Sequence, residues 1–172
     1  NVAIGPRALY SNLQGNGNVA IGDSSLHNNT ASFNTAIGVK SLLRNVSGSL
    51  NTAIGVSALR YNINGNFNTA NGAEALNNSL SGMDNTAVGY NSARNNASGN
   101  FNTAIGSRSL NSNVNGNSNV AIGYQSLKQN TASLNVGIGA NTLRDNTTGY
   151  ANSAIGNDAL RFNTTGYENA AW

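Results

Sequence analysis

A five-residue phrase, Asn-(Val/Thr/Ser)-Ala-(Ile/Val)-Gly, recurs with small variations along the whole chain. The step from one phrase to the next is 17 residues, shortened twice to 16. Self-similarity at a period near 20 is typical of stacked-repeat architectures. We therefore predict one repeat domain over residues 1–172, with ten units and the start of an eleventh. The units begin at Asn1, Asn18, Asn34, Asn51, Asn68, Asn85, Asn102, Asn119, Asn135, Asn152 and Asn169.

The composition is unusual for a folded chain, because 35 of the 172 residues are asparagine and only 9% are charged. Without the period, so polar a composition would indicate low-complexity disorder. Apolar residues return to the same phase of nearly every unit, however, and this favours a packed structure. The formal net charge of +3 does not by itself indicate nucleic-acid binding.

Several other features limit the class of protein. The chain has no cysteine, so it has neither a disulfide framework nor a thiolate metal site. No apolar run approaches the roughly 20 residues of a membrane span. No signal peptide and no initiator methionine are present, and we expect this to be a segment of a longer or processed chain.

Each unit can be described by positions 1 to 17, with Asn51–Phe67 as the type unit. Positions 2 to 4 predict a short strand, with β-branched residues on one face and alanine on the other. Glycine at position 5 predicts a turn at the end of the strand. Positions 7 to 11 permit a second strand or one helical turn, and we favour the strand. Position 15, glycine in the 17-residue units, predicts a second corner.

These assignments predict an all-β fold, a parallel β-solenoid of about ten coils of 16–17 residues. Stacking would place equal unit positions above one another, about 4.8 Å apart. We expect the β-branched residue of position 4 to face the leucine of position 9 across the core. The predicted columns are Ile4, Ile21, Ile37, Ile54, Val88, Ile105, Ile122, Ile138 and Ile155, opposite Leu9, Leu26, Leu42, Leu59, Leu76, Leu110, Leu127, Leu143 and Leu160.

Two or three buried aliphatic side chains per coil, each contributing about 1.5–3 kcal/mol, are few against the backbone entropy of 17 residues. We therefore expect additional stabilisation from asparagine side-chain ladders between coils and from association with copies of the same chain. The alanine of position 3 is the predicted contact, as a flat outward strip along the rod. The strip comprises Ala3, Ala20, Ala36, Ala53, Ala70, Ala87, Ala104, Ala121 and Ala154.

The phrase NVAIG, at Asn1–Gly5, Asn18–Gly22 and Asn119–Gly123, resembles the head repeats of YadA-like trimeric autotransporter adhesins. The longer unit, NTAIGxxALxxNxxGxx, is similar to repeats in fibre-like proteins of phages, viruses and bacteria. The resemblance implies a left-handed parallel β-roll, assembly as a homotrimer or fibre, and a structural or adhesive role at a cell or virion surface. The unit here is longer than the adhesin head repeat, which is near 14 residues.

Position 10 carries a recurring positive charge along one edge of the predicted rod. A basic stripe of this kind could contact anionic surface glycans, which would make the chain a carbohydrate-binding module. It could equally be a charged edge that prevents lateral aggregation, and we favour that interpretation. The stripe comprises Arg60, Arg94, Lys128, Arg144 and Arg161, with His27 as a sixth member when protonated.

Catalytic chemistry is not indicated, because the single histidine and six scattered acidic residues form no triad and no metal-ligating pattern. We therefore expect no enzymatic activity, no cofactor and no metal. Six N-glycosylation sequons are present, and the predicted corners would leave them accessible. They begin at Asn28, Asn45, Asn77, Asn96, Asn146 and Asn163.

Two adjacent units depart from the predicted core pattern. Asn71 stands at position 4 of the fifth unit, and Ala93 replaces leucine at position 9 of the sixth. We expect both to weaken the core locally, and we expect the Asn71→Ile substitution to raise the melting temperature.

Overall fold

The computed structural model describes all 172 residues as a single parallel sheet of eleven very short strands in sequence order. Each strand starts at the second residue of a repeat unit. The strands are β1 (Val2–Ile4), β2 (Val19–Ile21), β3 (Thr35–Ile37), β4 (Thr52–Ile54), β5 (Thr69–Asn71), β6 (Thr86–Val88), β7 (Thr103–Ile105), β8 (Val120–Ile122), β9 (Val136–Ile138), β10 (Ser153–Ile155) and β11 (Ala170–Ala171).

Equal unit positions lie beside one another at every strand pair. Thr52 pairs with Thr69 and Ala53 with Ala70, and the same register continues through the two 16-residue units. The prediction of a parallel β-solenoid of about ten coils is confirmed. At about 4.8 Å per coil the sheet is roughly 48 Å long.

The predicted second strand at positions 7 to 11 is wrong, because this wall of the coil consists of two consecutive turns. In the fourth coil, the Ala58 amide donates to the Gly55 carbonyl at 3.3 Å and the Asn62 amide donates to the Leu59 carbonyl at 3.1 Å. Ser57 and Leu59 adopt left-handed backbone conformations, with φ of 56° and 49°. The turns stack through backbone hydrogen bonds between coils, so this wall has a ladder without extended strands.

The two faces of the strand are the reverse of those predicted. Ala53 and Leu59 are fully buried, whereas Ile54 is 38% exposed and Ile105 is 39% exposed. The strand wall and the turn wall lie so close together that one leucine per coil fills the space between them. Alanine therefore faces the leucine, and the β-branched residue points away from the core. The position-4 column is thus an outer face of the rod, and only its opposing leucine column is core.

The two exceptional residues are affected differently by this reversal. Asn71 lies on the outer face and is exposed, so it is not a defect in the core, and the reason to expect stabilisation by Asn71→Ile no longer holds. Ala93 is 2% exposed in the leucine column and does leave that coil with a smaller buried side chain.

Asparagine side chains form two buried columns inside the solenoid, as the sequence predicted. The strand-side column is the asparagine of position 1, immediately before each strand. The turn-side column is the asparagine of position 12, immediately after the second turn. In the fourth coil, Asn51 of the first column and Asn62 of the second both donate to the Gly65 carbonyl, at 2.8 and 3.0 Å.

Glycine occupies the first corner of every coil and the second corner of the eight 17-residue coils; in the two 16-residue coils Ala31 and Ala132 stand at the second corner. Gly55 has a φ of 129°, and a Cβ atom there would lie 2.7 Å from the carbonyl group of Gly72 in the next coil. At the second corner, a Cβ on Gly65 would overlap the carbonyl oxygen of Gly82. The positive φ at the first corner and the close approach of successive coils at both corners explain the glycine at position 5 of all ten units and at position 15 of the 17-residue units.

Candidate interaction surfaces

The outer face of the sheet is the largest regular surface of the molecule. Side chains of positions 2 and 4 point outward from each strand, because they alternate with the buried residues of positions 1 and 3. Position 4 is isoleucine or valine in nine of the ten strands that have it, and position 2 is valine or threonine in most. We call this surface the β-branched face.

Position 17, the residue before each buried strand-side asparagine, continues the apolar character beyond the strand. Its side chains are large and exposed in several coils, and each adopts a positive φ despite being other than glycine. The exposed fractions are 61% for Phe33, 50% for Leu50, 55% for Phe67, 60% for Phe101 and 58% for Leu134. The sequence analysis missed these residues because position 17 falls at a corner of the coil. The alternation of a strand does not extend to a corner, so it cannot predict which way the side chain points.

The predicted alanine contact strip is wrong. Alanine at position 3 is fully buried in eight coils, from Ala20 to Ala154, and is exposed only at Ala3 in the first coil. A residue packed against the leucine column cannot contact another chain. The surface available for such a contact is the β-branched face, formed by the neighbouring residues of the same strands.

The basic stripe of position 10 is largely neutralised. Arg94 lies 2.8 Å from Glu74, Arg144 lies 2.8 Å from Asp145, and Arg161 lies 3.1 Å from Asp158.

The other two members of the stripe have no carboxylate. Arg60 packs over the Tyr61 ring at 4.9 Å, and Lys128 forms no ion pair. The stripe therefore does not present five free cations to a ligand.

The clearest concentration of positive charge lies elsewhere, on the turn wall of the first three coils. A wide-open concavity of about 400 Å³, which we call the basic cavity, is lined there by Arg7, His27, Lys40 and Arg44, among others. These residues occupy positions 7, 10 and 11, so a search along position 10 alone finds only His27. Adding the charges of positions 7 and 11 in neighbouring coils would have found the cluster.

Two aspartate carboxyl groups that lie near cations have pKa values below the ordinary value for aspartate. The Ser24 hydroxyl donates to Asp23 at 2.8 Å and, together with Arg7 and Lys40, lowers the pKa of that carboxyl below its ordinary value of 3.8. Arg144 donates two hydrogen bonds to Asp145 and lowers the pKa of that carboxyl in the same way.

Most sequon asparagines are not accessible, contrary to the prediction. Asn45, Asn96 and Asn146 are fully buried in the turn-side column, and Asn77 is 4% exposed. The first three donate to glycine carbonyls of their own coils, and Asn77 donates to the Ser57 carbonyl of the preceding coil. A glycan therefore cannot be accommodated on any of them in the folded chain.

The two remaining sequons differ from each other. Asn163 is partly buried and donates to Asn146 Oδ1 at 2.8 Å, so it belongs to the same column. Asn28 is exposed, at the edge of the basic cavity, and is the one sequon whose side chain is open to solvent.

No three or more histidine, cysteine, aspartate or glutamate side chains are grouped in a way that would hold a metal ion. The structure has no long apolar helix of the kind that crosses a bilayer. Comparison with known proteins finds no matching family model, no matching curated protein and no matching solved structure.

Proposed function

We propose that the chain is a structural segment of an extracellular or virion-surface fibre, in which it acts as a stiff spacer. The supporting observation is the β-branched face, which runs the whole length of the rod and has no partner within the chain. Adhesion along the rod, as in the adhesins whose head repeats it resembles, would be an additional role of the same segment.

Stiffness is supported by the hydrogen bonding between successive coils. The strand, the turn wall and the strand-side asparagine column each connect every coil to the next. A bend would have to lengthen hydrogen bonds on one wall while compressing another. Because each coil contacts only its neighbours, the length of the rod is set by the number of coils.

Association with copies of the same chain is supported by the size of the exposed apolar surface. Positions 17 to 4 span about 13 Å across the rod, which over about 48 Å gives the whole face, its threonines and few polar residues included, a projected area on the order of 600 Å². The largest apolar patch of a monomeric soluble protein is about 300–600 Å², and stable interfaces bury about 800 Å² per partner. We therefore propose lateral assembly through the β-branched face, as a trimer or a filament.

The assembly proposal is tested by sedimentation velocity and light scattering on the isolated segment. We expect a particle whose mass is a multiple of 17.7 kDa and whose frictional ratio is that of a rod. The Ile54→Lys/Ile105→Lys double substitution places charges on the β-branched face and should give monomers. Both side chains are already more than a third exposed, so the coil itself should remain folded.

The matched control is Ile63→Lys, which changes an isoleucine of similar exposure, 46%, on a different wall of the coil. It should leave the mass unchanged. A wild-type segment that stays monomeric at tens of micromolar, or a control that dissociates as readily as the double variant, would contradict assembly through this face. Immunogold labelling of intact cells or particles with antibodies against the rod tests the surface location.

A further inference from the structure

The basic cavity on the first three coils has the composition of a ligand site. Position 7 contributes Arg7, Ser24 and Lys40 from three successive coils, and Arg44 is the third cation of a lining that also includes His27. The volume of about 400 Å³ is sufficient for a monosaccharide-sized group with its hydration. The lining is almost entirely polar, which disfavours an apolar ligand.

The charge of this cavity is not balanced by carboxylates. Asp23, 3.2 Å from Arg7, is the only acidic partner there, and neither Lys40 nor Arg44 forms an ion pair. Arg44 is held with its guanidinium over the Tyr61 ring, 5.2 Å from the ring centroid. The single carboxylate of Asp23, whose pKa both Arg7 and Lys40 lower, is thus outnumbered by three cations beside one concavity.

Elsewhere on the rod, unpaired cations occur without a cavity. Arg60 and Arg108 lie over aromatic rings, and Lys128 forms no ion pair. The coincidence of uncompensated charge with a concave surface is found only on the first three coils.

An aromatic stack adjoins the cations. Tyr10 lies on the His27 ring with centroids 5.2 Å apart and an interplanar angle of 18°, and Tyr10 is 72% exposed. His27 Nδ1 is 2.6 Å from the Asn28 side-chain oxygen, which orients the ring and leaves the Asn28 amide NH₂ available as a donor. Flat aromatic faces beside amide donors suit a sugar ring, whose axial C–H groups pack on the ring while its hydroxyls hydrogen-bond.

We propose that this cavity binds an acidic saccharide, with its carboxylate or sulfate ester between Lys40 and Arg44 and its ring against the Tyr10–His27 stack. The cavity gathers its cations from three coils, whereas the unpaired cations farther along the rod lie singly and without a cavity. This favours a single anionic group over the repeated phosphates of a nucleic acid. The site lies on the turn wall, away from the β-branched face, so it does not depend on the proposed lateral assembly.

The test is calorimetric titration of the folded segment with four probes: a sulfated oligosaccharide, an oligouronate, a neutral oligosaccharide of equal length, and a short single-stranded oligonucleotide. We expect the two acidic saccharides to bind, the neutral one to bind at least about tenfold more weakly, and affinity to fall with added salt. The ratio between the sulfated and uronate affinities identifies which anion the site prefers.

The decisive variant is Lys40→Gln/Arg44→Gln, which removes both unpaired cations from exposed positions and should weaken acidic-saccharide binding by about tenfold or more. Lys128→Gln is the matched control, since it removes an unpaired cation where there is no cavity, and its affinity should stay within about twofold of wild type. Tyr10→Ala should weaken saccharide binding while leaving the binding of inorganic sulfate unchanged.

Several results would overturn the assignment. One is equal affinity for the neutral and acidic saccharides, and another is wild-type affinity in the double variant. A third is the absence of any binding at millimolar saccharide. The fourth is an oligonucleotide that binds more tightly than the saccharides and whose binding the double variant abolishes. Sedimentation of the same variants shows assembly independently, so a failure of saccharide binding and a failure of self-association are separately visible.

Discussion

The two buried asparagine columns have the same residue type and share a carbonyl acceptor in every coil except the fifth, which has Ser79, yet they differ in continuity. In the strand-side column, each Oδ1 accepts the backbone amide of the next asparagine, at 2.8–3.1 Å, across all ten junctions. The turn-side column is interrupted at Ser79 and again between Asn113 and Asn130.

The difference follows from what each amide satisfies. The strand-side Oδ1 is the acceptor for a buried backbone amide, which would otherwise have no partner. The turn-side amides link mainly to one another, as Asn62 Nδ2 donates to Asn45 Oδ1 at 2.7 Å. Losing a member of the turn-side column removes a side-chain link and leaves the backbone satisfied, so the sequence tolerates serine there and never at position 1.

The largest expected effect on the free energy of unfolding comes from adding a methyl group at the glycine whose carbonyl accepts hydrogen bonds from both columns. In Gly65→Ala, the new methyl group would meet the Gly82 carbonyl oxygen and the Asn62 side chain, 2.5 Å away. Because the obstructing atom is backbone, the coils must separate, and we expect a loss of about 3 kcal/mol or more in the free energy of unfolding. Denaturant unfolding followed by circular dichroism measures it. An unchanged transition midpoint would show that the corner has more room than the structure indicates.

The two columns are compared directly by removing one asparagine from each. Asn85→Ala leaves the Asn102 backbone amide, now bonded to Asn85 Oδ1 at 2.9 Å, buried without an acceptor. We expect this to cost about 2 kcal/mol or more. Amide exchange should also accelerate locally in the sixth and seventh coils.

Asn113→Ala is the matched variant in the turn-side column. The Asn113 side-chain oxygen already lacks a partner, and the Gly116 carbonyl keeps its bond from Asn102. The expected cost is about 1 kcal/mol. Equal costs for the two alanine variants would contradict the distinction between the columns.

Repairing the turn-side column should stabilise the rod modestly. At the Ser79 interruption, the Ser79 hydroxyl and the Asn62 side-chain oxygen are both buried without hydrogen bonds. Ser79→Asn would supply an amide donor to Asn62 and an acceptor for Asn96, and we expect a gain of about 1 kcal/mol. Ser79→Ala, which removes the unpartnered hydroxyl without rebuilding the column, is the control. If it matches Ser79→Asn in melting temperature, the column link contributes nothing.

The smallest expected effect is on pH dependence, because neither column contains a group that titrates in acid. The Asp145 pKa is lowered from its ordinary 3.8 by Arg144, so this pair stabilises the fold fully above pH 3.8. That contribution disappears as the pH falls through the lowered value. As the pH is lowered below 3.8, the melting temperature of wild type should therefore decrease slightly more than that of Asp145→Asn. Above pH 3.8 the two curves of melting temperature against pH should have the same slope. Parallel curves throughout would show that the pair contributes no stability.

The repeat made the solenoid and its register predictable, since a fixed period forces equal positions to stack. The asparagine ladders were predictable for the same reason. Which face of the strand points inward was not predictable, because both faces are apolar. Alternation alone cannot distinguish an inward Ala53 from an inward Ile54. That choice depends on the distance between the walls, which is set by the left-handed turn residues Ser57 and Leu59, and neither residue type favours that conformation locally.

The candidate surfaces were predictable only in part. The basic residues of position 10 share one column because equal unit positions stack, but ion pairing depends on acids from other unit positions, such as Glu74 beside Arg94. The cavity depends on side chains from three coils and three unit positions, so no single column of the repeat reveals it. Sequons failed as indicators of accessibility because the same asparagines hold the coils together.

The two 16-residue units preserve the strand register, and in both the shared acceptor of the two asparagine columns is an alanine carbonyl, that of Ala31 or Ala132. A change of chain length is thus absorbed within one corner and is not transmitted along the stack. A gene encoding such a rod can gain or lose whole units by unequal recombination, and each unit gained or lost would alter the length of the rod by about 4.8 Å while leaving every other coil as it was.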